Sequence, residues 1–438
     1  MHSRNVSIDL AKYAPEVNRP EAYYGLPETV SYCRSCVISN QRPSSSVEFL
    51  NTANSPKKTI QFDAEGVCDA CRFAERKHGG AIDWAERERE LKDVLARHRR
   101  TDGRYDVLVP GSGGKDSVYA AHVLKYKYGM NPLTVTWAPS LYTDWGWANF
   151  QNWLGSGFTN YLATANPRVH RLMTRLAVEN LFHPFQPFIL GQKNFAPKMA
   201  MMFDIPLVIY GENEAEYGNP IAETDNAQRD LRYFALNEPE KVHLGGVSMA
   251  SLQSDYGVTA GDLEAYLPAD QDKLASKNID VHYLGYYLKW HPQGCYYYAV
   301  EHAGFRAAPE RTPGTYSKYN SIDDKIDDLH YYTTFIKFGI GRATYDAAQE
   351  IRSRDIDREE GVALVQRYDG EYPDRFESDL MNYLSLPEAD FPQAARQFER
   401  PEMDRDYFLH LADRFRSPHL WVKDGAEWRL RQGRVENN

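Results

Sequence analysis

Tyr105-Asp106-Val107-Leu108-Val109-Pro110, followed after one residue by Ser112-Gly113-Gly114-Lys115-Asp116-Ser117, is the stretch that decides the fold of this chain. The first run is apolar and rich in valine, as in a buried strand, and the second places two glycines before a helical pattern. That helix is predicted over residues 117–128 and ends at Gly129, and a strand follows at 133–137. Strand, turn, helix and strand form one βαβ unit, so we expect an α/β fold with a parallel sheet.

The same reasoning extends along the rest of the chain. A helix is predicted from Asp83, which has the pattern of an N-cap, and Asp357 has that pattern for a later helix. Further elements are predicted as helices at 194–203, 343–352 and 358–368, and as strands at 206–210 and 279–287. The predicted parts of the chain are an N-terminal arm at 1–28, a cysteine module at 29–80, the α/β domain at 81–330 and a helical C-terminal region at 331–438.

The glycine turn, Ser112–Ser117, differs from the common phosphate-binding loop in an informative way. That loop needs Gly-x-x-x-x-Gly-Lys followed by Ser or Thr, but here Asp116 occupies the hydroxyl position and Val109 the position of the first glycine. What remains offers backbone N–H groups and a helix N-terminus to a small polyanion such as pyrophosphate. We therefore predict an ATP site that cleaves between the α and β phosphates; the alternative is a tight turn without a ligand.

Each residue of the glycine turn has a predicted role at this ATP site. Ser112, Gly113, Gly114 and Ser117 would surround the pyrophosphate, and Asp116 would stiffen the turn or help to hold Mg²⁺. Lys115 stands at the variable position of the motif. It either contributes to nucleotide binding or is simply exposed to solvent.

Two Cys-x-x-Cys pairs, Cys33-Arg34-Ser35-Cys36 and Cys68-Asp69-Ala70-Cys71, precede the glycine turn. Two such pairs joined by a loop predict a four-thiolate zinc site, which leaves the metal no open position and is therefore structural. An iron–sulfur cluster and two unrelated pairs of free thiols are the alternatives.

Composition bounds the class of protein. The chain has 438 residues, enough for several domains, and a formal net charge of −10. An acidic chain is poorly suited to binding long nucleic acid, because that affinity comes mainly from Lys and Arg on phosphates. Residues 1–20 lack the apolar stretch of a signal peptide, and the most apolar region, 195–210, is too short to span a bilayer, so we expect a cytoplasmic protein.

The glycine turn resembles that of the PP-loop ATP pyrophosphatase superfamily. Within it, the chain is similar to the N-acetyl sugar amidotransferases of surface-polysaccharide and lipopolysaccharide O-antigen biosynthesis. The likeness extends from about residue 30 to about residue 370 and is carried, besides the turn, by Tyr32-Cys33-Arg34-Ser35-Cys36-Val37, Phe62-Asp63-Ala64-Glu65-Gly66-Val67-Cys68, Gly211-Glu212-Asn213-Glu214-Ala215-Glu216-Tyr217-Gly218, Lys289-Trp290-His291-Pro292 and Lys337-Phe338-Gly339-Ile340-Gly341-Arg342-Ala343-Thr344.

This resemblance implies that ATP activates the acetamido group of a nucleotide-linked sugar. The amide oxygen would attack the α phosphate to give an O-adenylyl imidate and pyrophosphate, and ammonia would then displace AMP to leave an acetamidino group. A class I glutaminase needs a Gly-x-Cys-x-Gly elbow, which Gly294-Cys295-Tyr296 does not provide, and Met1-His2-Ser3 offers no N-terminal nucleophile. A separate glutaminase subunit is therefore the expected partner, and the resemblance implies that a cyclase-like subunit bridges the two. Cys295 is expected to be a buried core thiol.

A second group of candidate catalytic residues follows the strand at 206–210. Ligands of open α/β sheets bind beyond the carboxyl ends of the strands, so Glu212 and Asn213 are placed to meet Mg²⁺ or the sugar amide. Glu216 is a candidate base toward ammonium. The alternative is an acidic loop that is merely solvated.

Two further features are open between a functional and a structural interpretation. The loop at 337–342 either clamps phosphates with Lys337 and Arg342 or is a connection between helices with two surface cations. The tryptophans at 145, 147 and 153 either stack on a base or sugar or belong to the core. The competing functions are a tRNA-thiolating enzyme and a non-catalytic zinc-ribbon scaffold of a polysaccharide assembly complex.

Overall fold

A parallel sheet of five strands lies at the centre of the computed structural model, which describes residues 8–437. Residues 1–7 of the predicted arm and residue 438 lie outside the described part. The strands within that part are β1 Val107–Pro110, β2 Pro132–Trp137, β3 Asn160–Ala163, β4 Leu207–Tyr210, β5 His243–Leu244, β6 Val247–Ser248, β7 Asp280–Tyr283, β8 Trp421–Asp424 and β9 Glu427–Leu430.

Helices surround the sheet and make up most of the C-terminal part. They are α1 Asp69–His78, α2 Trp84–His98, α3 Lys115–His122, α4 Asp144–Gly155, α5 Pro167–Leu181, α6 Gln186–Phe203, α7 Ile221–Thr224, α8 Met249–Tyr256, α9 Ala260–Glu264, α10 Gln271–Ser276, α11 Leu284–Tyr287, α12 Pro292–Ala303, α13 Ile326–Phe338, α14 Arg342–Ser353, α15 Arg358–Tyr368, α16 Glu377–Leu384 and α17 Arg405–Phe415.

The sheet has the order β3-β2-β1-β4-β7, and all four pairs are parallel. In register, Leu108 of β1 lies between Leu133 of β2 and Val208 of β4. The chain moves outward from β1 to β2 and β3, and then returns to the other side of β1 with β4. The prediction of an α/β fold with a parallel sheet is confirmed, and the strand order reverses beside β1.

Alternate residues of the central strands pack on opposite faces of the sheet. Val107 and Val109 point toward α3, α4 and α12, whereas Leu108 and Val208 pack against α6. The period of two therefore gives each face its own apolar core. Both faces of the parallel sheet are covered by helices.

Three predicted elements differ in extent from those observed, and one of them, the helix predicted at 194–203, begins earlier, at Gln186. The helix predicted over 117–128 begins at Lys115, widens into a single π-helical turn at Val123–Lys127 and ends before Gly129, whose φ is +65°. The strand predicted at 279–287 stops at Tyr283, because the chain then bends into α11. Gly285 of α11 allows a close approach to the loop after β4, since an added Cβ would lie 3.2 Å from the backbone of Asn213.

The C-terminal region is helical up to Phe415 and finishes with the antiparallel hairpin of β8 and β9. Its core is shared with the cysteine module, because Cys36 and Val37 belong to the same apolar cluster as Leu329 and Phe408. The described residues of the arm also dock here, where the Tyr13 hydroxyl donates to the Arg416 carbonyl at 2.8 Å.

Candidate functional site

The four paired cysteines form one buried cluster at the start of α1. Their Sγ atoms all lie within 4.8 Å of one another, at 3.8 Å between Cys33 and Cys71 and 3.9 Å between Cys36 and Cys68. A tetrahedral zinc ion with Zn–S bonds of about 2.3 Å needs S–S separations of about 3.8 Å. The predicted cluster is confirmed, and its donor set fits an ion such as zinc. A cluster of several irons would spread its thiolates further apart, so the spacing favours a single ion.

The cysteine module is fastened to the loop that follows β4. Lys77 of α1 donates from Nζ to Glu216 Oε1 at 2.6 Å, and both side chains are almost fully buried. Arg352 of α14 donates to the Glu216 carbonyl at 3.2 Å, and an added Cβ on Gly218 would lie 2.5 Å from Ile60. Glu216, predicted as a base, is therefore held in an ion pair and does not line the cleft described next.

A cleft of about 610 Å³ opens at the carboxyl ends of β1 and β4. The strand order reverses at this point, and such switch points are where open α/β sheets bind ligands. The walls include the glycine turn, the loop after β4, part of α6, and the helices α13 and α14. All six residues of the glycine turn line this cleft.

The two glycines of the turn are required for different reasons. Gly113 has φ +88°, and an added Cβ would lie 2.7–2.9 Å from the backbone of Phe150 and Asn149. Gly114 is the N-cap of α3 with φ −67°, and a Cβ there would meet no atom within 4 Å. The fold therefore requires Gly113, whereas Gly114 leaves open space at the N-terminus of α3.

Lys115 and Asp116 form a buried pair at this helix start. Lys115 Nζ lies 2.6 Å from Asp116 Oδ2, and Trp290 donates its indole N–H to Asp116 Oδ1 at 2.9 Å. Burial alone would lower the pKa of Lys115, but Asp116 and Glu212 raise it above its ordinary value. The alternative of an exposed Lys115 is wrong, because the residue is only 8% exposed and lines the cleft.

Glu212 faces this pair from the end of β4. Burial, reinforced by the Asp116 carboxylate, raises the pKa of Glu212 to about 7, against a hydrogen bond from Tyr217 that lowers it. Gly211 allows the approach, because an added Cβ would lie 2.8 Å from the Asp116 carbonyl oxygen. A carboxylate that titrates near neutral pH in a cleft is suited to accepting and returning a proton.

The neighbours of Glu212 have different positions. Asn213 is buried and accepts the N–H of Ala215 at 3.2 Å, so its side chain caps the next turn instead of lining the cleft. Glu214 was not among the predicted site residues, but it does line the cleft. Its carboxylate accepts hydrogen bonds from Tyr283 at 3.1 Å and from Asn219 at 2.7 Å.

The wall opposite the glycine turn carries charged residues that follow the turn by more than 200 positions in the sequence. Asp323 and Asp327 line the cleft, and burial raises the pKa of both, while a hydrogen bond from Ser112 partly opposes the rise at Asp323. Arg342 is 2% exposed, lies 4.2 Å from the centroid of the Tyr331 ring, and has no hydrogen-bond partner for Nη1 among the described residues. The sequence signal was the repeated acidic pair in Asp323-Asp324-Lys325-Ile326-Asp327-Asp328.

The loop at 337–342 connects α13 with α14, but its two cations are buried, so the interpretation as surface cations is wrong. Gly339 makes the connection with φ +68°. Lys337 donates from Nζ to the Leu181 carbonyl at 2.7 Å, and burial with the nearby Lys57 lowers its pKa to about 7. Only Arg342 of the two lines the cleft.

The tryptophan cluster and Cys295 belong mainly to the protein interior. Trp153 is fully buried, Trp145 is half-buried and Trp147 is 44% exposed, and none of the three lines the cleft. Cys295 is 3% exposed, as predicted, and burial raises the pKa of its thiol well above the ordinary value. It lies close enough to Asp116 to feel that charge, but it is a protonated thiol.

The part of the chain that forms the wall opposite the glycine turn matches a known protein family. Residues 313–433 match the family model described as LPS biosynthesis protein WbpG-like, C-terminal domain. The C-terminal part of this chain is thus similar to a domain of a lipopolysaccharide-biosynthesis protein, and this likeness supports involvement in lipopolysaccharide biosynthesis. The match begins before α13 and includes Asp323, Asp327 and Arg342. It also reaches beyond residue 370, where the resemblance in the sequence analysis stopped.

A second comparison covers a shorter segment. The chain is 32% identical over 79 residues to an uncharacterized protein, MJ1599, of Methanocaldococcus jannaschii. The aligned part is 18% of this chain and 27% of that protein, so the chain spans about a quarter of its relative's length.

None of the helices within residues 8–437 is both long and apolar enough to cross a bilayer.

Proposed function

We propose that this chain is an ATP-dependent amidotransferase that converts an acetamido group of a nucleotide-linked sugar into an acetamidino group for lipopolysaccharide O-antigen synthesis. The observation that carries the proposal is the shared cleft. It joins an open helix N-terminus on the glycine turn with a titrating carboxylate, Glu212, and a wall from the lipopolysaccharide-biosynthesis domain. An anion, a proton acceptor and a second substrate can thus meet at one edge of the sheet.

The proposed chemistry has two steps. The acetamido oxygen attacks the α phosphorus of ATP, the bond to the β-phosphate oxygen breaks, and pyrophosphate leaves. Ammonia then adds to the activated carbon, the carbon–oxygen bond breaks, and AMP departs with the former amide oxygen. Loss of a proton from the added nitrogen leaves the acetamidino group, so one oxygen of the sugar has been replaced by NH.

Groups on the glycine turn would stabilise the departing pyrophosphate. The N-terminus of α3 begins beside the open space at Gly114, and the Lys115 ammonium is held at this helix start by Asp116. Arg342 enters the cleft from the opposite wall with a free Nη1 among the described residues, which suits the second phosphate-bearing substrate or the AMP leaving group. Glu212 would take the proton from the attacking ammonia.

Asp116 and Glu212 also fit a magnesium ion. Their like charges disfavour each other, since Asp116 raises the pKa of Glu212, and a hard divalent cation with carboxylate oxygen ligands would relieve this. When bound, Mg²⁺ would neutralise the charge that develops on the pyrophosphate. The four-cysteine site has a structural role in this proposal.

The ammonia would come from a separate class I glutaminase, bridged by a cyclase-like subunit. A glutaminase needs a reactive thiolate, and none of the five cysteines fits. Four form the buried cluster and Cys295 is a buried thiol whose pKa is raised. Free ammonium should therefore replace glutamine in an assay of this chain alone.

The test of the proposal is product analysis. The chain is incubated with ATP, Mg²⁺, ammonium and a panel of acetamido sugar nucleotides, and each sugar is then analysed by mass spectrometry. We expect one member of the panel to exchange one oxygen for NH, with AMP and pyrophosphate formed in equal amounts. Pyrophosphate release without any sugar product would refute the reaction, and no turnover with any member would favour a non-catalytic scaffold.

Glu212→Gln should remove activity while stabilising the fold above neutral pH. Between about pH 4.5 and pH 7 the folded chain holds the Glu212 proton more tightly than the unfolded chain, so the free energy of unfolding of the wild type falls as the pH rises. The variant lacks this group, and its melting temperature should exceed that of the wild type above pH 7. The measurement is thermal unfolding across this range, together with pyrophosphate release.

Glu216→Gln is the matched comparison, because it neutralises a carboxylate four residues away. It leaves Lys77 buried without its partner, and breaking such a pair costs about 3 kcal/mol or more. Its melting temperature should therefore fall. A Glu212 variant that also loses stability above pH 7 would contradict the raised pKa and the assigned role.

A further inference from the structure

A second cationic group lies in the cleft on the β7 side, away from the glycine turn. Arg229 is anchored through its backbone, whose N–H donates to the Val281 carbonyl of β7 at 2.8 Å. Its guanidinium lies 4.5 Å from the centroid of the Tyr210 ring and lines the cleft, although the residue is only 7% exposed.

Two nitrogens of this guanidinium are not satisfied by the protein. Nε and Nη1 have no hydrogen-bond partner within residues 8–437, and no carboxylate of that part of the chain lies within 4.0 Å. Glu214 acts on Arg229 only through space, because its own oxygens accept from Tyr283, Asn219 and Ser45. Buried N–H donors without an acceptor are costly, so their presence calls for an explanation.

A second cation approaches the same place from α6. Lys193 is half-buried and lines the cleft, with Nζ 5.4 Å from the centroid of the Tyr233 ring. Burial lowers the pKa of Lys193, Glu48 and Glu214 oppose this, and the charge of Arg229 lowers it further. Two cations that repel each other across a cleft are expected to share an anion.

We infer that Arg229 and Lys193 form a second anion subsite, which takes the diphosphate of the sugar substrate. The assignment to the sugar substrate rests on the proposed function. Tyr210 and Phe234, on which Arg229 lies, belong to the α6 face of the sheet, whereas the glycine turn leads to α3 on the other face. The two anion sites therefore lie on opposite sides of the strand ends. An acetamido carbonyl held between them would face the α phosphate of ATP.

The test uses inorganic pyrophosphate as the probe, titrated by calorimetry into the full chain saturated with Mg²⁺ and α,β-methylene-ATP. The wild type should bind pyrophosphate, and Arg229→Met should weaken that binding by at least about tenfold, because a charged hydrogen-bond partner is lost. The affinity for α,β-methylene-ATP should not change. Arg229→Lys should be intermediate, since it keeps the charge but loses the planar fork.

Thermal unfolding of the unliganded variants separates a ligand-binding arginine from a structural one. Arg229→Met should melt close to the wild-type temperature, because Nε and Nη1 make no hydrogen bond that the variant would lose. Arg175 is the control: it is also buried, but it donates to the carbonyls of Leu384, Arg400 and Pro401. Arg175→Met should therefore lower the melting temperature.

The outcomes distinguish this subsite from the proposed function. Equal pyrophosphate binding by the wild type and Arg229→Met, or loss of α,β-methylene-ATP binding in the variant, would overturn the subsite. If α,β-methylene-ATP does not bind the wild type, the ATP site fails, and the same pyrophosphate comparison is made without it.

A comparison of two diphosphates identifies the source of the diphosphate group. Tighter binding of uridine diphosphate than of geranyl diphosphate would identify a nucleotide-linked sugar, and tighter binding of geranyl diphosphate would identify a lipid-linked sugar. Both results support a diphosphate subsite.

Discussion

Gly114→Val should abolish ATP-dependent pyrophosphate release while the chain remains folded. The φ of −67° and ψ of 155° at this position suit valine, and an added Cβ meets no protein atom within 4 Å. The new methyl groups would instead occupy the space where a phosphate must approach the N–H groups of α3. We expect a loss of at least about 100-fold, as for a small misplacement of reacting groups, measured as pyrophosphate release with saturating ammonium.

Gly155→Val is the matched control for this prediction. Gly155 ends α4, an added Cβ there also meets nothing within 4 Å, and the residue does not line the cleft. Its activity and melting temperature should stay close to those of the wild type. Near-normal pyrophosphate release by Gly114→Val would show that no phosphate binds at the glycine turn.

Cys68→Ser should remove the bound metal and strongly destabilise the fold. Cys68 supplies one of the four clustered sulfurs, and the same sulfur accepts the N–H of Cys71 at the start of α1. Structural zinc sites contribute on the order of 10 kcal/mol of binding free energy, which becomes folding free energy. The measurements are metal content by mass spectrometry and thermal unfolding with and without a chelator.

Cys295→Ser is the control, because it changes the buried cysteine that lies outside the cluster. It should keep about one zinc ion per chain, as a single tetrahedral site requires. Iron with acid-labile sulfide in the purified wild type would contradict the zinc assignment. A metal-free Cys68→Ser protein of wild-type stability would contradict the structural role of the site.

Loss of the metal should also alter the structure of the cleft, because the cysteine module holds the loop after β4 in place. The buried pair of Lys77 and Glu216 and the contact of Gly218 with Ile60 connect α1 to the segment that positions Glu212. A destabilised module would therefore release that segment. This connection explains why a metal site without an open coordination position lies so close to the proposed chemistry.

The elements around the glycine turn could be predicted because their signals are local. An apolar run, two glycines and a helical pattern follow one another within about 30 residues, as in a βαβ unit, and the helix after Asp357 was bounded correctly by its capping pattern. The clustering of the four cysteines could be predicted equally well, since their spacing is that of a metal site. These predictions depend on neighbours in sequence and on little else.

The cleft could be predicted only in part, because its opposite wall is distant in sequence. Arg342 was a candidate phosphate clamp and Asp327 belongs to a repeated acidic pair, but neither pattern places its residue opposite the glycine turn, and Arg229 lies in an irregular segment. The loop after β4 was placed at the correct edge of the sheet, but the direction of each side chain depends on packing. Glu212 faces the cleft, whereas Asn213 caps a turn and Glu216 pairs with a lysine of the cysteine module.

The most direct measurement of the central claim follows one oxygen atom. The sugar nucleotide identified by product analysis is prepared with ¹⁸O in its acetamido carbonyl and incubated with ATP, Mg²⁺ and ammonium. We expect the ¹⁸O to be recovered in the phosphate of AMP, since that oxygen attacks the α phosphorus and later leaves with it. Recovery of the label in the sugar product or in inorganic phosphate, or formation of ADP, would contradict it.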